Sequence, residues 1–203
     1  MKHILPFAVF AVCVSSFSVQ AETYIGASLG QTKINSVDVN GNILGMSGSQ
    51  SYDADERMMS GSLFAGYNFN PYLGVEVTVG GIDALEEPTL TVDRMTYFAV
   101  QPKLSLPLTE QFAVFAKAGL AHFSADFTAS NSLYGYSGYT TVSTSDTTLM
   151  FGLGAEYAFN EQLKVRASWD YLKPELDILN VAGASLSVEP EFQQLSLGLS
   201  YHF

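Results

Sequence analysis

The chain has almost no cysteine, little charge and no long apolar run after its first residues. Only 14% of its 203 residues are charged, against roughly 25% in an average soluble domain, while 47% are hydrophobic. The single cysteine, Cys13, lies near the start, so disulfide frameworks, cysteine zinc sites and cysteine nucleophiles are excluded from the rest of the chain. The apolar content excludes intrinsic disorder. The formal net charge of -11 argues against nucleic acid as a partner.

The first residues have the three-part pattern of an export signal. Lys2 gives a positive start, and the apolar run from Ile4 to Val14 is too short to span a bilayer as a helix. Serines and then the small residue Ala21 follow it. This pattern predicts a signal peptide over residues 1–21, cleaved after Ala21, and an exported domain over residues 22–203.

The rest of the chain alternates between apolar and polar residues with a period of two, which predicts β-strands. The last segment is the clearest example. Its apolar face carries Leu195, Leu197, Leu199, Tyr201 and Phe203. Its other face carries Gln194, Ser196, Gly198, Ser200 and His202. The same alternation recurs over residues 74–80, 150–159 and 163–171.

The composition of the polar face indicates the environment of these strands. It is rich in Gly and Ser with isolated charges, and it lacks the dense Lys and Glu coat of a sheet in water. The apolar faces end in aromatic residues at one strand end, namely Tyr67, Phe69, Tyr72, Phe112, Tyr157, Phe159, Tyr201 and Phe203. Such a girdle is typical of a barrel in lipid, where the sheet must close so that every backbone amide is paired.

Turn signals divide the chain into eight strands. They are predicted at Thr23–Lys33, Arg57–Phe69, Tyr72–Gly81, Thr91–Leu106, Gln111–Asp126, Thr147–Phe159, Gln162–Lys173 and Glu191–Phe203. Short turns alternate with long connections at 34–56, 82–90, 127–146 and 174–190. The fold class predicted is therefore all-β, an eight-stranded antiparallel transmembrane β-barrel with both termini on the short-turn, periplasmic side. Within the first long connection, the Asn40-Gly41 pair predicts a hairpin turn.

Several segments resemble the OmpA-type transmembrane barrel. The segment Gly66–Glu76, GYNFNPYLGVE, is similar to its second hairpin, and Tyr24–Gly30 is similar to its first strand. The resemblance implies a Gram-negative outer membrane protein in contact with outer-membrane lipid and lipopolysaccharide. Gly198, Tyr201 and Phe203 match the C-terminal signal read by the barrel-assembly machinery. OmpA itself continues into a peptidoglycan-binding domain, whereas this chain ends at Phe203, so we expect the architecture of barrel-only, OmpX-like or opacity-type relatives.

Strand parity places six charged residues on the inward face. They are Glu76, Lys103, Lys117, Glu156, Arg166 and Asp170. An eight-stranded interior is filled by side chains, and unpaired buried charges are costly, so we expect these residues to pair across the lumen. The resemblance implies buried ion pairs at the first five positions, in a network altered because Ser28 stands at a usually basic position. Parity also turns Lys164 and His202 inward near the periplasmic rim.

Three functions remain open at this stage. The leading hypothesis is a structural and surface-interaction protein, because the long loops are acidic and Leu133–Tyr139 has the Tyr, Ser and Gly composition of adaptable contact surfaces. The second is a narrow channel in which the interior ion pairs exchange to pass small ions. The third is a lipid A deacylase, since His122 and Ser124, which parity places on the lipid-facing side, resemble part of the Ser-His-Glu site of PagL-type enzymes. We assign no catalytic residue, and no spacing predicts a metal or cofactor.

Overall fold

The computed structural model describes most of the chain after residue 20, namely residues 21–43, 46–83, 85–86, 90–92, 95–130, 139–181 and 184–203. The signal peptide predicted over residues 1–21 falls almost wholly outside these ranges, as do residues 133–138 of the Tyr-rich segment. No helix in the described ranges is long and apolar enough to cross a membrane.

The described residues form strands throughout, joined by turns. In chain order these are β1 Glu22–Ile43, β2 Met46–Asn68, β3 Leu73–Ile82, β4 Leu85–Glu86, β5 Leu90–Val92, β6 Met95–Pro107, β7 Phe112–Ser130, β8 Tyr139–Ala158, β9 Leu163–Leu172, β10 Leu176–Val181 and β11 Ala184–His202. Eight of them pair antiparallel in the order β1-β2-β3-β6-β7-β8-β9-β11, and β11 pairs again with β1. The sheet is therefore a closed eight-stranded barrel, which confirms the predicted fold, while β4, β5 and β10 are short additions at its long-loop end.

The barrel is apolar outside and polar inside over its central part. Leu197 and Leu199 are 68% and 54% exposed on the outer face, whereas Glu76 and Arg166 are 1% and 2% exposed in the interior. The alternating pattern therefore points its apolar side chains outward, which is the arrangement of a protein surrounded by lipid.

The three short turns use the same hydrogen-bonding device. The side-chain oxygen of Asn70 accepts hydrogen bonds of 2.8 Å from the backbone N–H groups two and three residues later. Thr109 and Asn160 do the same in the other two turns. Such local side-chain bonds stabilise a reversal of the backbone without any contact from the rest of the fold.

The predicted turn at Asn40-Gly41 is wrong. Both residues continue β1, where Asn40 lies opposite Ser49 of β2 and opposite Ser187 of β11. The chain reverses only between Ile43 and Met46. A ladder that pairs β1 with a strand on each side satisfies more backbone groups than a local two-residue turn, so the strand runs on.

Aromatic rings border the apolar outer face at its short-turn end. Tyr157 and Phe159 pack edge to face with ring centroids 5.5 Å apart, and Tyr201 and Phe203 do so at 5.0 Å. Trp169 lies toward the long-loop end of β9, in contact with the ring of Tyr171. These rings mark the two edges of the apolar belt, where amphipathic aromatic side chains meet the membrane surface.

Candidate functional site in the barrel interior

The six inward charges selected by parity lie together in the interior. Each is at most 7% exposed, and three carboxylates face three cations. We call this set the charge cluster: Glu76 of β3, Lys103 of β6, Lys117 of β7, Glu156 of β8, and Arg166 and Asp170 of β9.

Glu76 is the most connected member of the charge cluster. Its Oε2 accepts a hydrogen bond of 2.7 Å from Nη1 of Arg166, and its Oε1 lies 3.1 Å from Nζ of Lys117. The hydroxyl of Tyr24 donates a further bond of 2.9 Å to Oε2. A carboxylate with 1% exposure has lost its water shell, and these three charged or polar donors replace it.

The remaining pairs complete the charge cluster around aromatic rings. Nζ of Lys103 lies 2.7 Å from Glu156, and Nζ of Lys117 lies 3.1 Å from Asp170. The guanidinium carbon of Arg166 lies 4.2 Å from the ring centre of Phe64 and 4.6 Å from that of Phe115. The faces of nearby aromatic rings favour a buried cation electrostatically, so the interior holds its positive charges by rings as well as by carboxylates.

Two contacts around the charge cluster were not predicted from the sequence: the hydroxyl of Tyr24 on Glu76, and Ser62 as the partner of Ser28. Tyr24 supplies a hydroxyl to Glu76, and its inward parity, which it shares with Ser28, is the signal that could have found it. Ser28 forms a hydrogen bond of 2.7 Å with Ser62, so a neutral pair occupies that side of the lumen. The cavity beside these serines measures about 10 Å³, which is room for roughly one water molecule.

Neutral hydrogen-bonded side chains lie beside the charge cluster, since Gln194 is paired in register with Asp170 and Gln101 with Glu76. The hydroxyl of Tyr97 donates to Oε1 of Gln194 at 3.1 Å, and Nε2 of Gln194 lies 3.0 Å from the hydroxyl of Ser60. Nε2 of Gln101 donates to the carbonyl of Met150 at 3.2 Å. On β9 the inward side chains pass directly from Asp170 to the apolar Leu172.

The long-loop end of the interior is apolar, which the sequence analysis did not predict. Every barrel strand contributes one large side chain that is at most 7% exposed. We call this set the apolar ring: Ile34, Met58, Ile82, Met95, Phe123, Met150, Leu172 and Phe192. The rings of Phe123 and Phe192 lie 5.3 Å apart across it. The apolar ring packs like the core of a soluble domain and caps the polar interior.

A third set of interior residues lies at the short-turn end. Nδ1 of His202 lies 3.0 Å from Oε1 of Glu22 and 3.2 Å from Nζ of Lys164, and its Nε2 lies 3.1 Å from the hydroxyl of Ser200. We call these four residues the rim cluster. The contacts Ser200–His202–Glu22 have the order found in serine hydrolases. Ser200, however, is only 2% exposed, so a substrate cannot approach it.

Comparison with known proteins identifies the family. Residues 5–203 match the outer membrane protein beta-barrel domain. The chain belongs to this family. It is therefore an outer membrane barrel of a Gram-negative bacterium, and the predicted location is confirmed.

Relatives and solved structures agree with this assignment. Outer membrane protein A of Klebsiella aerogenes is 26% identical over 204 residues, which cover 95% of this chain and 53% of that protein. Outer membrane protein A of Escherichia coli O157:H7 is 30% identical over 155 residues, which cover 73% of this chain and 40% of that protein. The chain thus spans about half the length of the curated relatives it matches.

Two solved structures share the fold at low sequence identity. The outer membrane protein OprG of Pseudomonas aeruginosa superposes with a TM-score of 0.64 at 15% identity, covering 90% of this chain and 95% of the OprG chain. Neisserial surface protein A superposes with a TM-score of 0.56 at 14% identity, covering 89% of this chain and 97% of the Neisserial chain. These likenesses concern the fold of the outer membrane barrel.

The His122 motif lies where parity placed it, on the outer face. His122 is exposed and Ser124 is partly exposed. Nδ1 of His122 lies 3.0 Å from the hydroxyl of Thr147, which is not the carboxylate that would orient a catalytic histidine. In the described ranges, no three His, Cys, Asp or Glu side chains are grouped to hold a metal ion.

Above the apolar belt, the wall of this outer membrane barrel carries an ion-paired cluster. Nζ of Lys173 lies 2.7 Å from Oδ2 of Asp38 and 3.2 Å from Oε2 of Glu189. Hydrogen bonding to the Lys173 ammonium lowers the pKa of Asp38, and the same hydrogen bond raises the pKa of Lys173. The cluster joins β1 and β11 to the residue that follows β9, at a level where the surroundings are aqueous.

The residues that match the assembly signal lie along one strand end. Gly198 points inward, whereas Tyr201 and Phe203 are 42% and 70% exposed on the outer face. The backbone N–H of Phe203 donates a hydrogen bond of 3.0 Å to the carbonyl of Thr23. This end of β11 therefore forms part of the seam with β1.

Proposed function

We propose that this protein is a sealed barrel with a structural and surface-interaction role, carried by the part of its wall that lies outside the membrane. The observation that carries the proposal is the apolar ring, in which all eight barrel strands take part. A conducting lumen needs a continuous polar path, and the eight side chains of the ring offer no polar group to replace the water around an ion. The polar side chains paired with ring members, Thr32 opposite Met58 and Ser60 opposite Ile82, are themselves buried.

The charge cluster by itself is compatible with a channel whose ion pairs exchange. An ion could pass it by replacing one partner of a pair at a time. The apolar ring above it is what disfavours this alternative, since eight side chains would have to move apart together. We therefore place the function on the outer surface of the wall rather than in the lumen.

The wall continues well beyond the apolar belt. β1 runs ten residues beyond Lys33, as far as Ile43, which is about 33 Å of strand at roughly 3.3 Å per residue. On the outer face of the neighbouring wall, exposed polar residues of β8 such as Ser143, Ser145 and Thr147 take the place of apolar ones. A paired and rigid extension of this kind suits contact with lipopolysaccharide around the barrel and with a surface ligand above it.

We also propose the route by which the protein reaches this position. Residues 1–21 direct export, residues 22–203 form the barrel domain, and Gly198, Tyr201 and Phe203 are read by the barrel-assembly machinery. Replacing Phe203 with Ala should reduce the folded protein in outer membranes, measured by heat-modifiable gel migration. Replacing Phe69, which is also an exposed girdle residue, with Ala should leave assembly much closer to wild type.

Planar-bilayer conductance tests the sealed barrel. We expect no discrete current steps from the wild type. Steps that disappear in Glu76→Gln, with the folded state checked by gel migration, would support the channel and overturn the proposal.

Lipid A mass spectra test the enzymatic alternative. Cells with the wild type and with Ser124→Ala should have the same lipid A acylation. A missing acyl chain that returns in the Ser124→Ala strain would assign a deacylase.

A further inference from the structure

In the rim cluster, a carboxylate and an ammonium group both lie close to the same nitrogen of His202. Nδ1 of His202 lies 3.0 Å from Oε1 of Glu22 and 3.2 Å from Nζ of Lys164. The ring is only 2% exposed, and it stacks on the ring of Tyr24 with centroids 4.9 Å apart and planes 19° apart. His202 therefore cannot turn away from either neighbour without losing this stacking.

The two contacts at Nδ1 exclude each other, because one needs a proton on that nitrogen and the other needs a lone pair there. A carboxylate oxygen only accepts, so a bond to Glu22 requires a proton on Nδ1. An ammonium group only donates, so a bond from Lys164 requires a lone pair on Nδ1. Nε2 can serve either state, because the hydroxyl of Ser200 both donates and accepts.

The charged and titratable neighbours of His202 come from the strands that pack around it. β1 contributes Glu22 and Tyr24, and the Tyr24 hydroxyl is directed away to Glu76 of the charge cluster. β9 contributes Lys164, and β11 itself contributes Ser200. Asn68 of β2 reaches only Glu22, at 3.2 Å. The charge state of His202 is thus set against one carboxylate and one ammonium.

We propose that the rim cluster is a proton-responsive latch at the seam between the first and last strands. With a neutral imidazole that carries its proton on Nε2, Nδ1 accepts from Lys164. The ammonium also contacts Glu22 at 3.3 Å, so β9, β11 and β1 are cross-linked. When the imidazole takes up a proton, Nδ1–H donates to Glu22 and the Lys164 ammonium is repelled. Lys164 then moves into the aqueous mouth, where its side chain is already 22% exposed.

The latch acts at the place where the barrel closes. Next to it, the backbone N–H of Phe203 donates to the carbonyl of Thr23, and that of His202 donates to the carbonyl of Gln162. The proton therefore decides whether the seam between β1 and β11 is tied to β9 by a side chain or only by the backbone ladder.

Histidine-selective NMR of the barrel in lipid nanodiscs tests the latch. The pH is lowered from about 8 to about 5, the range in which imidazoles change charge, and His122→Gln identifies the second exported histidine signal. We expect the His202 midpoint to rise by about one pH unit in Lys164→Met, because a nearby cation is lost. We expect it to fall by about one pH unit in Glu22→Gln, because a nearby anion is lost. In the wild type, the Lys164 ammonium protons should exchange with water faster below the His202 midpoint than above it.

The matched control is Lys173→Met, which removes a lysine at the opposite end of the barrel and should leave the His202 midpoint unchanged. Gel migration checks that each variant is folded, and Lys164→Met decides the question alone if Glu22→Gln does not fold. A His202 midpoint that does not move in Lys164→Met would overturn the proposal. Ammonium exchange that is equally slow on both sides of the midpoint would overturn it as well.

Discussion

The two halves of the barrel interior solve the same packing problem in opposite ways. Toward the short turns the lumen is filled by paired charges, and toward the long loops it is filled by apolar side chains. β7 contains both solutions: Lys117 points inward below, with Leu120 outward, whereas Phe123 points inward above, with Ser124 outward. The side-chain pattern inverts where lipid outside gives way to water, so the strand itself records the membrane surface.

The two halves should also fail differently. A buried ion pair depends on both partners, and removing one leaves an uncompensated charge. An apolar contact loses stability in proportion to the area and volume removed. Substitutions that change the shape of a side chain little should therefore reduce the free energy of unfolding strongly in the charge cluster and weakly in the apolar ring. Four experiments test this contrast, from the largest expected effect to the smallest.

Glu76→Gln should have the largest effect. It keeps the shape of the side chain but leaves Arg166 and Lys117 without their shared anion. We expect the free energy of unfolding to fall by about 3–5 kcal/mol, measured by urea titration in lipid with the single tryptophan, Trp169, as probe. Glu191→Gln, outside the belt, serves as the control. A loss below about 1 kcal/mol for Glu76→Gln would mean that the charge cluster is as tolerant as the apolar ring.

Gly80→Ala should have the next largest effect, at the level that joins the two halves. A Cβ on Gly80 would collide with the ring of Tyr97 on the paired strand. We expect a loss of about 2 kcal/mol from overpacking, by the same titration. Gly81→Ala is the matched control, because its Cβ would meet only a carbonyl oxygen of Met95 at 3.8 Å. Equal losses in both variants would show that backbone freedom, and not the ring, is responsible.

Phe123→Leu tests the apolar ring with a change of shape and no change of charge. We expect a loss of about 1.5 kcal/mol. Combined with Glu76→Gln, the losses should add to within about 0.5 kcal/mol, since the two residues share no partner. Strong non-additivity would show that the charge cluster and the apolar ring act as one cooperative unit.

The smallest effect is expected at the wall outside the belt, where solvent screens the pair of Asp38 and Lys173. The pKa of Asp38 is lowered in the folded state, so its stabilisation is full above the ordinary pKa of an aspartate, about 3.9, and is lost as the pH falls through its folded pKa. The stability difference between wild type and Lys173→Met should therefore shrink on acidification, measured by urea titration at several pH values. A difference that grows toward acid pH would contradict this assignment.

Strand parity was sufficient for much of the fold and of the site. It placed Leu197 outside and Glu76 inside because the period of a strand is two and lipid accepts only one of its faces. It could not give the partners of Glu76. Arg166 lies 90 residues away on β9, and their contact depends on how the strands are staggered around the closed barrel.

The apolar ring was missed for a physical reason. The prediction assumed one rule for each whole strand, with apolar residues outward. Phe123 and Met150 obey the opposite rule because they lie above the lipid. The outward polar residues His122 and Thr147 carry the signal that could have found them, since outward polarity on neighbouring strands marks the level at which the pattern inverts.

The apolar ring also limits how large such a barrel can be. Each strand supplies one blocking side chain, so the number of these side chains grows in step with the number of strands. The cross-section of the tube grows with the square of its diameter, and the diameter itself follows the strand count. One residue per strand fills the opening at eight strands. In a barrel with a few more strands, one apolar side chain per strand would leave the centre of the lumen open.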